Sequence, residues 1–233
     1  MLKERNNRII SIIIKISIIT VVWIGFFIPK VASLLYFTVL SNVFVSIVMA
    51  IYLVIDIINL SGKKVIAPYW LNMLKFISTV GITLTFIVFG LVLTPQMVAN
   101  GYGEYVTAVS SICMHMVAPV LTILDWCLFD CNITHKRWSF TYGAFFPILY
   151  FIFANVCVML GADFGTHGTF QKFPYFFLDY DTLGWFNIGD GKIGVFYWIV
   201  VMIAFVAGLG VLLLYINKKA MSHRELIRKK NGN

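Results

Sequence analysis

Charged residues are scarce in this sequence: Asp, Glu, Lys and Arg make up 12% of its 233 residues. An ordinary soluble domain carries about 25%, and half that proportion cannot cover the water-exposed surface of a chain this long. Hydrophobic residues make up 60%, and there are only four cysteines. The composition therefore excludes a soluble globular domain, a disordered chain and a disulfide-stabilised scaffold, and it indicates a chain that lies mostly in lipid.

The sequence contains long apolar runs. Six of them reach the roughly 20 residues that a helix needs to cross a hydrocarbon core about 30 Å thick. We place them at about 9–28, 34–58, 73–93, 106–129, 140–160 and 195–216. Their apolar residues are continuous, without the alternation of barrel strands. The sequence therefore predicts an all-α integral membrane bundle of six transmembrane helices, which forms a single domain over residues 1–233.

Basic residues are distributed unequally between the two sides of this bundle. Thirteen of the 18 lysines and arginines lie at the N-terminus, in the second and fourth connections and in the basic tail (217–233), whereas three lie on the other side. Lysine and arginine accumulate in cytoplasmic loops, so we expect a multi-pass protein of the cell membrane with both termini cytoplasmic. The net charge of +8 then reflects contact with anionic lipid headgroups, and no nucleic-acid partner is expected.

One connection is long. Residues 161–194, called the aromatic loop below, join the fifth span to the sixth on the side away from the termini. They include nine aromatic residues, which argues against disorder. We interpret the loop as a flap over this end of the bundle; the alternative is an aromatic belt that anchors the protein at the lipid headgroups.

Four ionisable residues lie within spans, toward the side of the termini: Lys15, Asp56, Lys75 and Asp125. Two positive and two negative charges at similar depth predict ion pairs across helices. The alternative is a proton or ion path, which would make the protein a small transporter that uses Asp56 and Asp125.

Potential metal ligands are few. Cys127 and Cys131 stand four residues apart on one helix, but this spacing more commonly reflects small packing residues. Only one histidine lies inside a span, whereas a metal site needs several ligands at one depth. We therefore expect neither a metal nor a cofactor.

Polar residues in the other half of the bilayer indicate a catalytic site. Thr38, Ser41 and Asn42 share one face of the second span, because they stand at positions i, i+3 and i+4. His115 lies in the fourth span, one turn after Ser111. A hydroxyl and a neutral imidazole at similar depth indicate a nucleophile and its base, with Ser41 or Asn42 donating to the developing oxyanion. The alternative is structural, because hydroxyls in membrane helices often bond their own backbone.

Three short motifs, taken in order, resemble a known family. They are Tyr-Phe-Thr-Val-Leu-Ser-Asn at 36–42, His115 followed by Pro119, and Lys-Phe-Pro-Tyr-Phe-Phe-Leu-Asp at 172–179. Together they are similar to the androgen-induced and androgen-dependent TFPI-regulating membrane hydrolases, and especially to their bacterial six-span branch. The resemblance implies hydrolysis of fatty acid esters of hydroxy fatty acids, or of similar lipid esters, with Thr38 as nucleophile and His115 as its partner.

The sequence thus predicts an intramembrane hydrolase of lipid esters, whose partners are membrane lipids and the ester substrate. The alternative is a non-catalytic, lipid-binding multi-pass membrane protein with the same pocket. The predicted catalytic residues are Thr38 and His115. The residues expected to contact the substrate are Ser41, Asn42, Ser111 and Asp179, the last by orienting a polar group at the mouth of the site.

Overall fold

The computed structural model describes residues 2–28, 33–129, 133, 138–165, 170–189 and 191–231. Within these ranges six helices are long and apolar enough to cross a membrane, and there is almost no strand. The predicted all-α, six-span architecture is thereby confirmed. Lys30, Lys136 and Arg137, which contribute to the charge bias, and Cys131, the predicted neighbour of Cys127, lie outside the described residues.

One observed helix overlaps each of the six predicted spans, and the second and fourth helices begin three residues after the predicted starts of their spans. They are α1 (Leu2–Phe27), α2 (Phe37–Leu60), α3 (Tyr69–Ala99), α4 (Val109–Leu128), α5 (Ser139–Met159) and α6 (Val195–Asn231). The first and last helices extend well beyond the apolar runs, since α1 begins in the charged N-terminal segment and α6 continues through most of the tail. Lys, Arg, Glu and Leu are good helix formers, and they dominate both extensions.

Two spans change their helical pitch next to a proline. α3 passes through a π-helical turn at Phe89–Leu93, and Pro95 lies in the first turn of the segment that follows. α4 does the same at Cys113–Val117, ahead of Pro119. A proline lacks an N–H and collides with the carbonyl one turn before it, and a wider turn accommodates both effects. As a result α3 continues past the predicted end of its span, at residue 93.

α3 is the central helix of the bundle. Of its apolar window 61% is buried, compared with 22–39% for the other five helices. α2, α4, α5 and α6 pack around it, and α1 packs on α2 and α4. Trp126 of α4 is fully buried and donates a hydrogen bond to the Leu213 carbonyl of α6, at 2.9 Å. These contacts bury the centre and leave large apolar side chains on the outer faces, as a lipid environment requires.

The four ionisable residues of the spans meet inside the bundle, toward the end that carries both termini (the terminus end). Asp125 is fully buried, 2.9 Å from the Lys15 ammonium and 2.6 Å from that of Lys75. Lys15 also lies 3.0 Å from Asp56, which Arg8 approaches to 3.8 Å. These contacts join α1, α2, α3 and α4 and confirm the predicted ion pairs. Lys15, Asp56, Lys75 and Asp125 are called the buried charge cluster below.

The described part of the aromatic loop packs back onto the opposite end of the bundle (the loop end). Phe164, Phe173 and Phe177 are buried, and the Tyr36 hydroxyl donates a hydrogen bond to the Phe164 carbonyl. The loop contains a 3₁₀ turn at Phe176–Leu178 and a short helix at Tyr180–Leu183. A two-stranded antiparallel ribbon, β1 (Ile188–Gly189) with β2 (Lys192–Ile193), then leads into α6.

Candidate functional site

A pocket of about 290 Å³ lies between α2, α3, α5 and α6, under the aromatic loop. Along α6 it reaches from Trp198 to Val206, a length of about 12 Å at 1.5 Å per residue. Most of its wall is apolar, and its few hydroxyl groups include those of Thr38, Tyr150 and Tyr175. A mostly apolar cavity with a few convergent polar groups is typical of a small-molecule binding site.

The pocket opens sideways between α5 and α6. Close to the terminus end these helices touch, since a Cβ on Gly210 would lie 2.7 Å from the Phe140 carbonyl oxygen. Farther toward the loop end α6 leaves the Phe145–Met159 part of α5, with which it makes few backbone contacts. Ile148 and Ile203 line the pocket on either side and are 44% and 46% exposed. The opening therefore faces the surroundings of the bundle, which in a membrane are acyl chains.

The polar end of the pocket is built around the first turn of α2. The Tyr175 hydroxyl lies beside the Thr38 hydroxyl and beside the backbone of Phe37 and Thr38. The Tyr150 hydroxyl donates to the Leu35 carbonyl at 3.1 Å and lies close to the Phe37 backbone and to the Tyr175 hydroxyl. The first N–H groups of a helix have no partner within the helix, and here two tyrosine hydroxyls lie next to them. Thr38, Tyr150 and Tyr175 are called the hydroxyl cluster below.

Tyr175 reaches this cluster from the aromatic loop. Its ring stacks on Phe177 at 5.2 Å and meets the rings of Tyr36 and Tyr150 at 6.1 and 6.3 Å. Burial raises the pKa of Tyr175 to about 12, although the polar groups of Thr38 and Phe37 beside its hydroxyl act in the opposite direction. The hydroxyl therefore keeps its proton at neutral pH and can donate a hydrogen bond inside the pocket.

Ser41 and Asn42 hold the turn that carries Thr38. Ser41 is 3.0 Å from the Thr85 hydroxyl of α3, and it donates to the Thr38 carbonyl at 3.0 Å. The Asn42 side-chain amide donates both to the Thr38 carbonyl, at 2.8 Å, and across to the Met114 carbonyl of α4, at 3.0 Å. Both side chains are buried, and neither lines the pocket. They fix the position of Thr38 relative to α3 and α4.

His115 lies in the π-helical turn of α4 and does not line the pocket. Its Nδ1 is 3.0 Å from the Ser111 carbonyl oxygen and 3.2 Å from the Ser111 hydroxyl. A carbonyl oxygen can only accept, so Nδ1 carries the hydrogen and Nε2 has the free lone pair. The ring stacks on Phe89 with centroids 3.8 Å apart. The Asn42 bond to Met114 brings the α2 turn of Thr38 against the residue that precedes His115.

Ser111 and Asp179 have local partners. Ser111 is buried and holds the His115 ring, as described above. Asp179 caps the short helix Tyr180–Leu183, because its carboxylate accepts from the Thr182 N–H at 2.9 Å and from the Thr182 hydroxyl at 2.8 Å. Asp179 follows the pocket residue Leu178 in the chain but does not itself line the pocket. Its contacts order the aromatic loop beside the site.

Three polar residues of the pocket were missed by reasoning from the sequence: Tyr150, Tyr175 and Thr85. Tyr150 lies in an apolar span among other aromatic residues, and nothing in its sequence neighbourhood distinguishes it from them. Tyr175 lies in the third motif, and only the fold brings it to α2. A tyrosine hydroxyl buried in a span needs a hydrogen-bond partner, and this rule was the one available signal for Tyr150.

Among the described residues, no group of three or more His, Cys, Asp or Glu side chains could hold a metal ion. Comparisons of the chain with protein-family models, with curated proteins and with solved structures gave no match.

Proposed function

We propose that this protein is an intramembrane hydrolase of lipid esters, in which the pocket binds an acyl chain and Thr38 attacks its carbonyl carbon. The observation that carries the proposal is the position of Thr38: a hydroxyl at the polar end of an otherwise largely apolar pocket that opens toward lipid. The resemblance to the membrane hydrolases, in which Thr38 and His115 match the threonine and the histidine, points to the same residue.

Binding is supported by the shape and the wall of the pocket. An acyl chain that enters between α5 and α6 would lie along the apolar wall, with its carbonyl group beside the hydroxyl cluster. Each methylene transferred from water to such a wall contributes about 0.8 kcal/mol. For a lipid that comes from the bilayer this gain is largely absent, so the polar end has to select the substrate.

The proposed base is His115, whose contact with Ser111 fixes its tautomer. With Nδ1 held by Ser111, Nε2 is the atom that accepts the Thr38 proton as the Thr38 oxygen bonds to the carbonyl carbon. The carbonyl electron pair moves to its oxygen and then returns. The alkoxide leaves with the proton from Nε2, and the acyl group stays on Thr38. A water molecule, deprotonated in turn by Nε2, releases the fatty acid and restores Thr38.

The test is turnover of a long-chain lipid ester by the purified protein in detergent or vesicles. Thr38→Val keeps the shape of the side chain and removes its hydroxyl, so fatty acid release should fall to background. His115→Gln should reduce kcat by about 10²–10⁴-fold, the usual contribution of a general base. The control is Thr83→Val, because Thr83 is buried, bonds its own helix at Thr79 and does not line the pocket. Unchanged turnover by Thr38→Val would contradict the proposal.

A second function, lipid binding without catalysis, is favoured by one observation: His115 is held between Ser111 and Phe89 and does not line the pocket. In this case Thr38 would hydrogen-bond the carbonyl group of a lipid that stays intact. Lipid that co-purifies with the wild type and is lost on pocket substitution, together with no ester turnover, would select this function.

We further propose that the protein lies in the cell membrane with both termini cytoplasmic, so that the pocket opens into the outer leaflet. The support is the excess of basic residues on the side of the termini. A single cysteine placed in the aromatic loop of a cysteine-free variant should react with an impermeant thiol reagent on intact cells. Protection of this cysteine until the cells are lysed would contradict the orientation.

A further inference from the structure

Tyr175 is the residue through which the aromatic loop reaches the proposed nucleophile. The loop is tied to the bundle on both sides of Tyr175. Before it, the Phe164 carbonyl accepts from the Tyr36 hydroxyl, and after it Phe177 is buried against Trp198 of α6. Tyr175 is therefore held in place by packing, and its hydroxyl lies beside the hydroxyl of Thr38.

We propose that Tyr175 is a catalytic residue, whose hydroxyl donates a hydrogen bond to the carbonyl oxygen of the ester and stabilises the oxyanion formed when Thr38 attacks. This inference rests on the proposed function and adds to it the group that stabilises the transition state, supplied by the aromatic loop. The substrate class that it implies is an acyl ester whose carbonyl oxygen points toward the loop end of the pocket.

The direction of the hydrogen bonds supports this role. The hydrogen of Tyr150 is directed to the Leu35 carbonyl, whereas the Tyr175 hydroxyl lies on the pocket wall beside Thr38. Rotation about the bond between the Tyr175 ring and its oxygen directs the hydroxyl hydrogen toward a charged oxyanion that forms there. Hydrogen bonds to an ionised acceptor are roughly twice as strong as neutral ones. The gain therefore arises in the transition state, as catalysis requires.

Two other properties suit Tyr175 to this role. Its raised pKa keeps the hydroxyl protonated over the whole physiological range. Its position does not depend on the substrate, because its ring stacks on Phe177 and packs against the rings of Tyr36 and Tyr150. A donor held in advance is the arrangement that stabilises an oxyanion most effectively, since little reorganisation is needed during the reaction.

The experiment compares Tyr175→Phe with Tyr180→Phe in the full chain, by measuring kcat and KM for a long-chain ester and the affinity for its non-hydrolysable ether analogue. Tyr180 is the matched control, since it lies in the same loop, stacks on Trp185 and does not line the pocket. Tyr175→Phe should lower kcat by about 10²–10³-fold and change the affinity for the ether less than about threefold. Tyr180→Phe should change neither.

The outcomes distinguish failure of the role of Tyr175 from failure of the hydrolase proposal. A kcat for Tyr175→Phe equal to that of the wild type overturns the role of Tyr175, and the hydrolase proposal stands if Thr38→Val is inactive in the same assay. A parallel loss of kcat, ether affinity and thermal stability assigns Tyr175 a structural role and also overturns the inference. No turnover by the wild type overturns both proposals.

Discussion

Two buried polar regions, at opposite ends of the bundle, differ in what surrounds them. The buried charge cluster consists of full charges that contact one another across four helices, with Asp125 and Lys15 almost completely excluded from solvent. The hydroxyl cluster consists of neutral groups on the wall of an open pocket. Charges that neutralise one another inside a bundle hold it together, whereas neutral hydroxyls facing a cavity are available to a ligand. We infer that the first region provides stability and the second provides function.

The largest expected effect is the loss of stability on breaking the buried charge cluster. Asp125→Asn removes the carboxylate that both Lys15 and Lys75 contact, which leaves excess positive charge inside the bundle. Breaking a buried ion pair by removing one partner typically costs about 3–5 kcal/mol of unfolding free energy. Thermal unfolding in detergent should therefore show a large fall in Tm.

The chain offers a control for this prediction. Lys172 and Asp181 also form an ion pair, but they lie in the aromatic loop with side chains 45% and 52% exposed. Exposed pairs contribute little to stability because water and salt screen them, so Asp181→Asn should hardly change Tm. Equal effects of the two substitutions would contradict a stabilising role specific to the buried charge cluster.

An intermediate effect is expected from shortening the pocket. Ala144 is buried and lines the pocket on the side of the terminus end. Ala144→Leu should fill this part of the cavity and shift the preferred acyl chain to a shorter length. For acyl chains that bind from water, the affinity for longer chains should fall about fourfold for each methylene displaced, which corresponds to about 0.8 kcal/mol. Binding of a series of fatty acyl chains of increasing length measures the shift.

Val156→Leu is the control for chain length, since Val156 belongs to the same helix, is 46% exposed and does not line the pocket. It should leave the chain-length preference unchanged. The same preference in wild type and Ala144→Leu would show that the acyl chain does not lie in this pocket.

The smallest effect concerns the pH dependence of the aromatic loop. Asp163 accepts from the Gln171 and Gly165 N–H groups at 3.0 and 2.7 Å, and these bonds lower the pKa of its carboxyl group. A lowered folded-state pKa means that the contribution to stability is complete above the unfolded value, about 3.9, and is lost as the pH falls through the folded value. The protection of the Gln171 amide against hydrogen exchange, relative to its intrinsic rate at the same pH, should therefore fall only in acid.

Asp163→Asn should remove this acid-dependent step, because its side chain does not titrate. Persistence of the step in the variant would assign it to another group. An equal step in the helices would mean that acid unfolds the whole bundle, which would contradict a local role for Asp163.

The spans and the ion pairs were predictable from the sequence, whereas the composition of the pocket was not. Continuous apolar runs and charges at similar depth are local signals, and they identified six helices and the partners of Asp125. The face of Ser41 was predicted too, but its partner is Thr85 of α3, a residue without a distinctive pattern. Tyr175 comes to Thr38 through a loop more than a hundred residues away in sequence, and no periodicity encodes such a contact.

The hydrophobic pattern does not predict the change in helical pitch that accompanies a proline. Pro119 follows His115 by about one turn, and the segment of α4 that contains His115 is a π-helical turn. The wider turn changes the direction of every side chain in it, so the orientation of His115 could not be deduced from a regular 3.6-residue helix.

The central claim is that Thr38 carries the acyl group of a lipid held in the pocket. The most direct measurement is mass spectrometry of the purified protein after reaction with a long-chain fluorophosphonate, with the modified residue identified by fragmentation. The account predicts one adduct, on Thr38, which disappears in Thr38→Val and when the pocket is filled with the ether analogue. An adduct on another residue, or no adduct in a protein that retains its helical fold, would contradict it.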